Sequence, residues 1–300
     1  MKRLLITGGT VFVSKFAATY FAEQGYDVYV LNRNSRPQVS GVTLIEADRH
    51  DIGEALSGIY FDAVIDITAY DGEDIRDLVS AADGFGTYVM ISSSAVYPET
   101  EKQPFTEDTK LGANRFWGKY GTDKIEAESV LLELVPDAYI LRPPYLYGPM
   151  NNLYREAFVF DCALAGRRFC LPENGEMRLQ FLHVRDICRI IEKIILTGPD
   201  CHIFNVGNEE PVTVREWVRL CYECAGKKPE YINIPGDIEQ RRYFSFYDYE
   251  YYLDVSSQKL LTGTTIDLKD GLKESFDWYL SNSGEVRKKP LIQYIDDNLI

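Results

Sequence analysis

Long apolar runs are missing from the sequence. No segment approaches the roughly 20 consecutive apolar residues that a membrane-spanning helix needs, and the N-terminal MKRLLITGGTVF reaches two glycines before a secretory core forms. We therefore predict a cytoplasmic protein with no membrane partner.

Cysteine and histidine are scarce, with six and three copies in 300 residues. The cysteines are too sparse for a disulfide framework, and the histidines show no metal-ligand spacing. Cys221 and Cys224 form a single CxxC inside a predicted amphipathic helix. A metal or redox pair is one interpretation and buried structural thiols are the other, which the lack of a second pair favours. We predict no metal site.

Basic residues are outnumbered, because 32 Lys and Arg face 46 Asp and Glu and leave a net charge of −14. A long phosphate backbone would be repelled by such a chain unless a local basic patch compensated. We therefore expect a small-molecule substrate and no nucleic-acid partner.

Short apolar runs alternate with amphipathic stretches from the first residue. Helices are predicted near residues 14–24, 73–82 and 117–134, between the strand-like runs KRLLIT, DVYVLN, TLIEA, FDAVIDIT, TYVMISS and AYILRP. Strands joined by helices indicate an α/β fold, here a Rossmann-type doubly wound parallel sheet that binds ligands where its strands end.

The alternation loosens after Pro149, where Pro, Gly and aromatic residues become common. We predict a dinucleotide-binding Rossmann domain over residues 1–168 and a smaller C-terminal substrate lobe over residues 169–300. Segments near residues 182–207 again have the pattern of helix and strand and are expected to rejoin the sheet.

The segment ITGGTVFVSKF lies between the first strand and the first helix, at the place of a dinucleotide-phosphate loop. Its two adjacent glycines can make the tight turn, but Val11 and Ser14 stand where such a loop has its other glycines. An ordinary strand-turn-helix corner is the alternative. The cofactor contacts predicted here are Gly8, Gly9, Thr10, Val11, Phe12 and Val13.

The second strand ends at Asn32 and Arg33, where an acidic residue normally holds the adenosine ribose. Asn32 can hydrogen-bond a ribose and Arg33 can neutralise a 2′-phosphate, so between NAD and NADP the pair favours NADP. A solvated surface arginine is the alternative. Asp48 and Arg49 end the third strand and are also candidate cofactor contacts, although Asp48 would equally suit a helix N-cap.

A tyrosine and a lysine lie one helical turn apart in Tyr120-Gly-Thr-Asp-Lys124. A free phenol has a pKa of about 10, too high for a base at neutral pH. A nearby ammonium favours the phenolate, so Lys124 would make Tyr120 a usable acid or base. Exposed helix residues are the alternative, because this spacing is common by chance.

Three serines end the strand TYVMISSSAVYPE, at the carboxyl edge of the predicted sheet. We assign Ser93 to the substrate oxygen, with turn-forming serines as the alternative. Further candidate substrate contacts are Ser94, Asn151, Asn152, Arg178 and Arg241, and for the arginines a solvated surface position is the alternative.

Taken together, these motifs resemble the extended short-chain dehydrogenase/reductase family, and in particular its NAD-dependent epimerase/dehydratase branch. The resemblance rests on TGGTVFVS, SSSAVY, YGTDK, LRPPYLYGP, FLHVRD and FNVGNEEPVTVREW and covers nearly the whole chain. It implies a catalytic triad of Ser93, Tyr120 and Lys124, a homodimer, and cofactor contacts from Thr68, Ala69, Pro143 and Tyr145.

The expected activity is therefore that of an NAD(P)-dependent epimerase/dehydratase-like enzyme acting on a hydroxyl-bearing sugar or nucleotide sugar. Tyr120 would take the hydroxyl proton as hydride leaves the same carbon. Two alternatives stay open. One is an NADP-dependent reductase or dehydrogenase of a small carbonyl compound, and the other is a cofactor-responsive binding protein with little turnover.

Overall fold

The central sheet of the computed structural model, which describes residues 1–300, has seven strands that all run parallel. From one edge to the other they are β3 (Val42–Glu46), β2 (Asp27–Asn32), β1 (Arg3–Thr7), β4 (Phe61–Asp66), β5 (Phe85–Ile91), β6 (Tyr139–Arg142) and β11 (Ile203–Asn205). The predicted Rossmann-type architecture is confirmed.

Helices cover both faces of this sheet. One face carries α1 (Phe12–Glu23) and α5 (Val184–Thr197), and the other carries α2 (Gly72–Ala81) and α3 (Lys119–Leu134). Because both faces are buried, the inner strands are nearly continuous apolar runs and not alternating ones.

The strand order reverses between β1 and β4, since the chain moves from β1 to one side and from β4 to the other. Loops that leave neighbouring strands in opposite directions open a crevice at the carboxyl edge. The loop after β1 carries the two adjacent glycines, and the loop after β4 carries Thr68 and Ala69. The topology therefore places both predicted cofactor loops at one crevice.

A second core lies beyond the sheet, where three helices pack on one another: α4 (Glu156–Leu164), α6 (Val214–Cys224) and α8 (Leu268–Asn282). This C-terminal lobe takes in α4, which precedes the boundary at residue 168 expected from the sequence. Three two-stranded ladders and short helices complete the fold: β7 (Tyr145–Tyr147), β8 (Phe169–Pro172), β9 (Arg178–Leu179), β10 (Phe181–His183), β12 (Val212–Thr213), β13 (Tyr231–Ile234), α7 (Ser256–Thr262) and α9 (Leu291–Asn298).

None of the helices combines the length and apolarity needed to cross a bilayer. All six cysteines are free thiols, and Cys221 of the CxxC lies fully buried in α6.

Candidate active site

Two adjoining cavities occupy the crevice at the carboxyl edge of the sheet. The larger has a volume of about 540 Å³ and lies between the sheet and the C-terminal lobe. The smaller has a volume of about 410 Å³ and extends past the ends of β1 and β2. Val11, Thr68 and Tyr70 line both. A single elongated ligand can therefore span the two cavities.

The glycine loop has the backbone that a phosphate cradle requires. Gly8 and Gly9 both have φ of +92°, in the region that favours glycine, and a Cβ on Gly9 would lie 2.7 Å from Val30. Val11 has φ of −139° and ψ of 133°, an extended conformation that valine adopts without strain. The loop thus keeps its turn although Val11 replaces a glycine.

The first helix offers an open N-terminus to the crevice. Val11 is the N-cap of α1, and no side chain caps the helix there. Free amide groups and the positive end of the helix dipole suit a pyrophosphate. Phe12 and Val13 line the larger cavity, whereas Gly8 and Thr10 line the smaller one. These residues fit a dinucleotide.

Asn32 lies beside the glycine loop, and its side-chain amide is hydrogen-bonded to other residues of the protein. Its Nδ2 donates to Gly8 O at 2.6 Å and to Gln38 Oε1 at 3.0 Å, and its Oδ1 accepts from Asn34 N at 2.9 Å. Asn32 thus braces the glycine loop and also lines the smaller cavity, where its contact with a ribose stays a prediction. Arg33 lines the smaller cavity with a side chain that is 74% exposed, 3.6 Å from Asp48 Oδ2.

Arg49 also lines the smaller cavity, yet its guanidinium is fully engaged. It forms a fork on buried Asp66, with Nη1 to Oδ1 at 2.8 Å and Nη2 to Oδ2 at 2.6 Å, and it donates to Thr68 Oγ1 at 3.0 Å. Burial raises the pKa of Asp66, but the charge and hydrogen bonds of Arg49 outweigh it and hold that pKa below its usual value. Arg49 therefore shapes the cavity wall and holds the loop after β4, a role that differs from the direct cofactor contact expected from the sequence.

Ser93, Tyr120 and Lys124 all line the larger cavity. The segment Ser92–Ser94, here called the serine turn, lies close to α3. Gly121 allows this approach, because a Cβ there would collide with the carbonyl oxygen of Ala95. The Ser93 hydroxyl accepts a hydrogen bond from Ala95 N at 3.1 Å. The structure thus brings the three predicted catalytic residues together around one space.

Lys124 is 3% exposed and donates to two backbone carbonyls, Ala69 O at 2.5 Å and Ile91 O at 2.9 Å. Its ammonium also lies 5.4 Å from the ring centroid of Tyr70. Burial lowers the pKa of Lys124 to about 8. The ammonium is therefore held near Ala69, which, like Gly9, is a predicted cofactor contact that lines neither of the two cavities.

Tyr120 differs from the sequence-based expectation in its pKa. The residue is 41% exposed, but burial of its phenol raises the pKa above the ordinary value. The groups that lower it are Ser93 and Arg155, and Lys124 is not among them. The Ser93 hydroxyl and Arg155 of the C-terminal lobe therefore act against burial on the pKa of the Tyr120 phenol.

A buried ion pair supports the catalytic elements from behind. Arg142 of β6 forms a fork on Glu128 of α3, with Nη2 2.6 Å from Oε2 and both side chains 3% exposed. Glu128 also accepts a hydrogen bond from the Ser92 hydroxyl. Because Glu128 lies one turn beyond Lys124, it ties α3 to β6 through Arg142 and to the turn after β5 through Ser92, next to Ser93.

The predicted substrate contacts separate into two groups. Ser94 lines the larger cavity and donates to Tyr251 Oη at 3.2 Å, and Arg241 lines an adjoining cavity of about 240 Å³. Asn151 and Asn152 lie outside these cavities, and the Asn151 amide donates to Glu156 Oε1 at 2.8 Å. Arg178 also lies outside, because its guanidinium pairs with Glu250 at 2.7 Å.

Sequence reasoning missed several residues of the larger cavity. Pro143 and Tyr145 line it as predicted by resemblance, together with Tyr247 and Tyr251, and they are joined by side chains that no motif singled out: Tyr70, Phe116, Trp117 and Arg155. Tyr70 is visible only as the residue that follows Thr68-Ala69. Arg155 has no local signal, since its place depends on how α4 packs.

Comparison with known proteins agrees with this geometry. A model of the NAD dependent epimerase/dehydratase family matches residues 4–207. The chain is 25% identical over 343 residues to UDP-glucose 4-epimerase of Neisseria gonorrhoeae, covering 94% of this chain and 98% of that protein. It is 26% identical over 302 residues to chloroplast stem-loop binding protein of 41 kDa b of Arabidopsis thaliana, covering 92% of this chain and 79% of that protein.

The fold is shared with MoeE5, which has been solved with NAD and either of two nucleotide sugars. The complex with UDP-glucuronic acid superposes with a TM-score of 0.74 at 20% identity, covering 93% of this chain and 99% of that chain. The complex with UDP-glucose also gives 0.74, at 21% identity, covering 94% and 99%. Because the matched family model spans the glycine loop, the serine turn and the Tyr120–Lys124 helix, the chain belongs to the NAD-dependent epimerase/dehydratase family.

Proposed function

We propose that this protein oxidises a hydroxyl group of a nucleotide sugar with a bound nicotinamide dinucleotide and then completes an epimerisation or dehydration. The observation that carries the proposal is the shared cavity of Ser93, Tyr120 and Lys124, which is continuous with the glycine loop through Val11 and Thr68. Proton-transfer groups and a dinucleotide cradle thus open onto one space.

The residues of the smaller cavity would hold the adenosine and pyrophosphate parts of the dinucleotide. The open N-terminus of α1 and the turn at Gly8 supply backbone donors for the pyrophosphate. Pro143, Tyr145 and Lys124 line the larger cavity, where they would surround the nicotinamide end. When bound there, the nicotinamide supplies a reversible acceptor of hydride.

Tyr120 and Ser93 would serve the reacting carbon. The Ser93 hydroxyl can donate to the substrate oxygen, and the Tyr120 phenolate can take the hydroxyl proton. Since burial raises the pKa of Tyr120, formation of the phenolate depends on the groups that act against burial, which include Ser93 and Arg155. When the dinucleotide binds, the Lys124 ammonium would exchange one of its hydrogen bonds to a backbone carbonyl for a bond to a ribose hydroxyl.

The substrate class follows from the size of the site and from the relatives. A cavity of about 540 Å³ that adjoins one of about 240 Å³ is within the range of small-molecule sites. The matched epimerase acts on UDP-glucose by its name, and MoeE5 binds UDP-sugars. We extend that substrate class to this chain, with Arg241 available for a phosphate of the nucleotide.

The Tyr120→Phe variant tests the proposal. Loss of the phenol should lower turnover of a nucleotide sugar by about 100-fold to 10,000-fold and leave the affinity for the dinucleotide unchanged. Turnover is followed by reduced-nicotinamide absorbance and by product analysis, and affinity by calorimetry. Unchanged turnover in Tyr120→Phe would show that the site does not use this phenol and would favour a binding protein.

A second function is suggested by the name of the Arabidopsis relative, which describes stem-loop binding. The net charge of −14 opposes it, because phosphate contacts need clustered cations. We expect no salt-dependent retention of a stem-loop RNA. Retention that weakens with added salt would revive this function.

A further inference from the structure

Arg155 lies directly before α4 and lines the larger cavity opposite the sheet. Of the 23 residues that line this cavity, only Lys124 and Arg155 are charged, and none is acidic. The chain as a whole has 46 acidic and 32 basic residues. The cavity is therefore positive inside an acidic protein.

The Arg155 guanidinium has no carboxylate partner. Its one hydrogen bond runs from Nη1 to Leu146 O at 3.4 Å, which is long for such a bond. An arginine has five N–H donors, and most of these remain available. Arg142 and Arg49, the buried arginines nearby, each form a fork on a carboxylate. Arg155 thus faces the larger cavity with most of its N–H donors free.

Aromatic rings pack against the Arg155 guanidinium, which forms no ion pair. Its Cζ lies 4.9 Å from the ring centroid of Tyr145 and 5.8 Å from that of Phe246. Stacking on aromatic faces orients the planar group without satisfying its donors. Tyr145 lines the same cavity with a hydroxyl that is buried and has no hydrogen-bond partner. The Arg155 guanidinium and the Tyr145 hydroxyl therefore both have free hydrogen-bond donors at the larger cavity.

Two further cations, Arg241 and Lys289, form no salt bridge, and the charge of Arg155 acts on the pKa of both. Burial lowers the pKa of Arg241, and the charge of Arg155 lowers it further. Burial also lowers the pKa of Lys289, with Arg241 and Arg155 adding to the effect. The charge of Arg155 therefore disfavours the charged forms of Arg241 and Lys289, and an anion bound at Arg155 would offset that effect.

We propose that Arg155 binds a negatively charged group on the reacting sugar, so that the enzyme prefers an acidic nucleotide sugar to a neutral one. The inference rests on the proposed function, because it names the substrate of that same site. Arg155 shares the cavity with Tyr120 and Ser93, whereas Arg241 faces the adjoining cavity. The anion at Arg155 is therefore assigned to the sugar, and the nucleotide phosphates to the side of Arg241.

UDP-glucuronic acid and UDP-glucose are a matched pair of probes, since they differ only in a carboxylate or a hydroxymethyl group on the sugar. Calorimetry on the NAD-loaded protein should give about tenfold to 100-fold tighter binding of UDP-glucuronic acid. Arg155→Met should abolish that preference by weakening the acidic ligand alone. Arg155→Lys should retain part of it, and Arg168→Met, which changes an exposed arginine beyond α4, should retain all of it.

Equal affinity of the wild type for the two nucleotide sugars, or binding of neither, would overturn the proposal. Equal weakening of both ligands by Arg155→Met would place Arg155 on the diphosphate and also overturn it. Failure of the proposed function gives a different result. A protein that binds the acidic nucleotide sugar tightly but never reduces NAD would support the Arg155 site and contradict the proposed reaction.

Discussion

The Lys124 ammonium donates a hydrogen bond of 2.9 Å to the carbonyl oxygen of Ile91, the last residue of β5. A second bond, to Ala69 O, links the same ammonium to the loop after β4. One side chain of α3 therefore ties together the serine turn and the cofactor loop. This makes the charge of Lys124 relevant both to the shape of the site and to its chemistry.

Activity should follow the ionisation of Lys124. Burial lowers its pKa to about 8, so the ammonium is lost as the pH rises through that value. We expect turnover to fall on the alkaline side with an apparent pKa of about 8. Lys124→Arg, whose charge persists at every accessible pH, should remove this fall in a pH–rate profile. The same alkaline fall in Lys124→Arg would assign it to another group.

Gly121→Ala should separate the serine turn from the helix. The added Cβ would collide with the carbonyl oxygen of Ala95, so α3 must move away from Ser93. We expect a loss of about 1–3 kcal/mol in the free energy of unfolding, as for other overpacked sites, and at least a tenfold loss of turnover, since misplacing catalytic groups by about 1 Å can cost more. Thr122→Ala, at the next and exposed position, is the control. Normal turnover in Gly121→Ala would mean that the approach of α3 is unimportant.

Glu128→Gln should be strongly destabilising. The substitution leaves the buried Arg142 guanidinium without its carboxylate, and breaking a buried pair in this way costs about 3–5 kcal/mol. Urea unfolding measures the change. Glu126→Gln, on the same helix but 56% exposed, should cost less than about 0.5 kcal/mol. Similar losses in both variants would contradict the role of the buried pair.

Arg33→Ala should change cofactor preference. Arg33 is exposed beside the smaller cavity, and we predict that it neutralises a 2′-phosphate. Removing a charge-assisted hydrogen bond should weaken NADP binding by about tenfold or more, with NAD binding unchanged. Affinities for both dinucleotides are measured by calorimetry, with Arg76→Ala of α2 as a control. Equal effects on NAD and NADP would remove the case for an NADP preference.

Local patterns in the sequence were enough to predict the elements of the fold. The helix expected near residues 14–24 spans Phe12–Glu23, and the one expected near 73–82 spans Gly72–Ala81. Hydrophobic periodicity reports which face of a segment is buried, whatever covers it. The spacing of Tyr120 and Lys124 on one helix face is equally local.

Partners distant in the chain could not be predicted in this way. Arg178 looked available for a substrate, but its guanidinium meets Glu250, 72 residues away. Asn32 also donates from Nδ2 to Gly8 O, 24 residues away, a bond that the local sequence pattern does not reveal. Such long-range pairs decide which polar groups already have hydrogen-bond partners. Composition and local spacing do not reveal these pairs.

The sequence by itself determined the alternation of strands and helices, the glycine turn and the Tyr120–Lys124 helix, because each depends on neighbours a few residues apart. Only the tertiary structure decided that Arg155 shares a cavity with Tyr120 and forms no salt bridge. That outcome depends on how α4 packs in the C-terminal lobe, since burial and the pairing of charges are set by contacts between segments that are far apart in the chain.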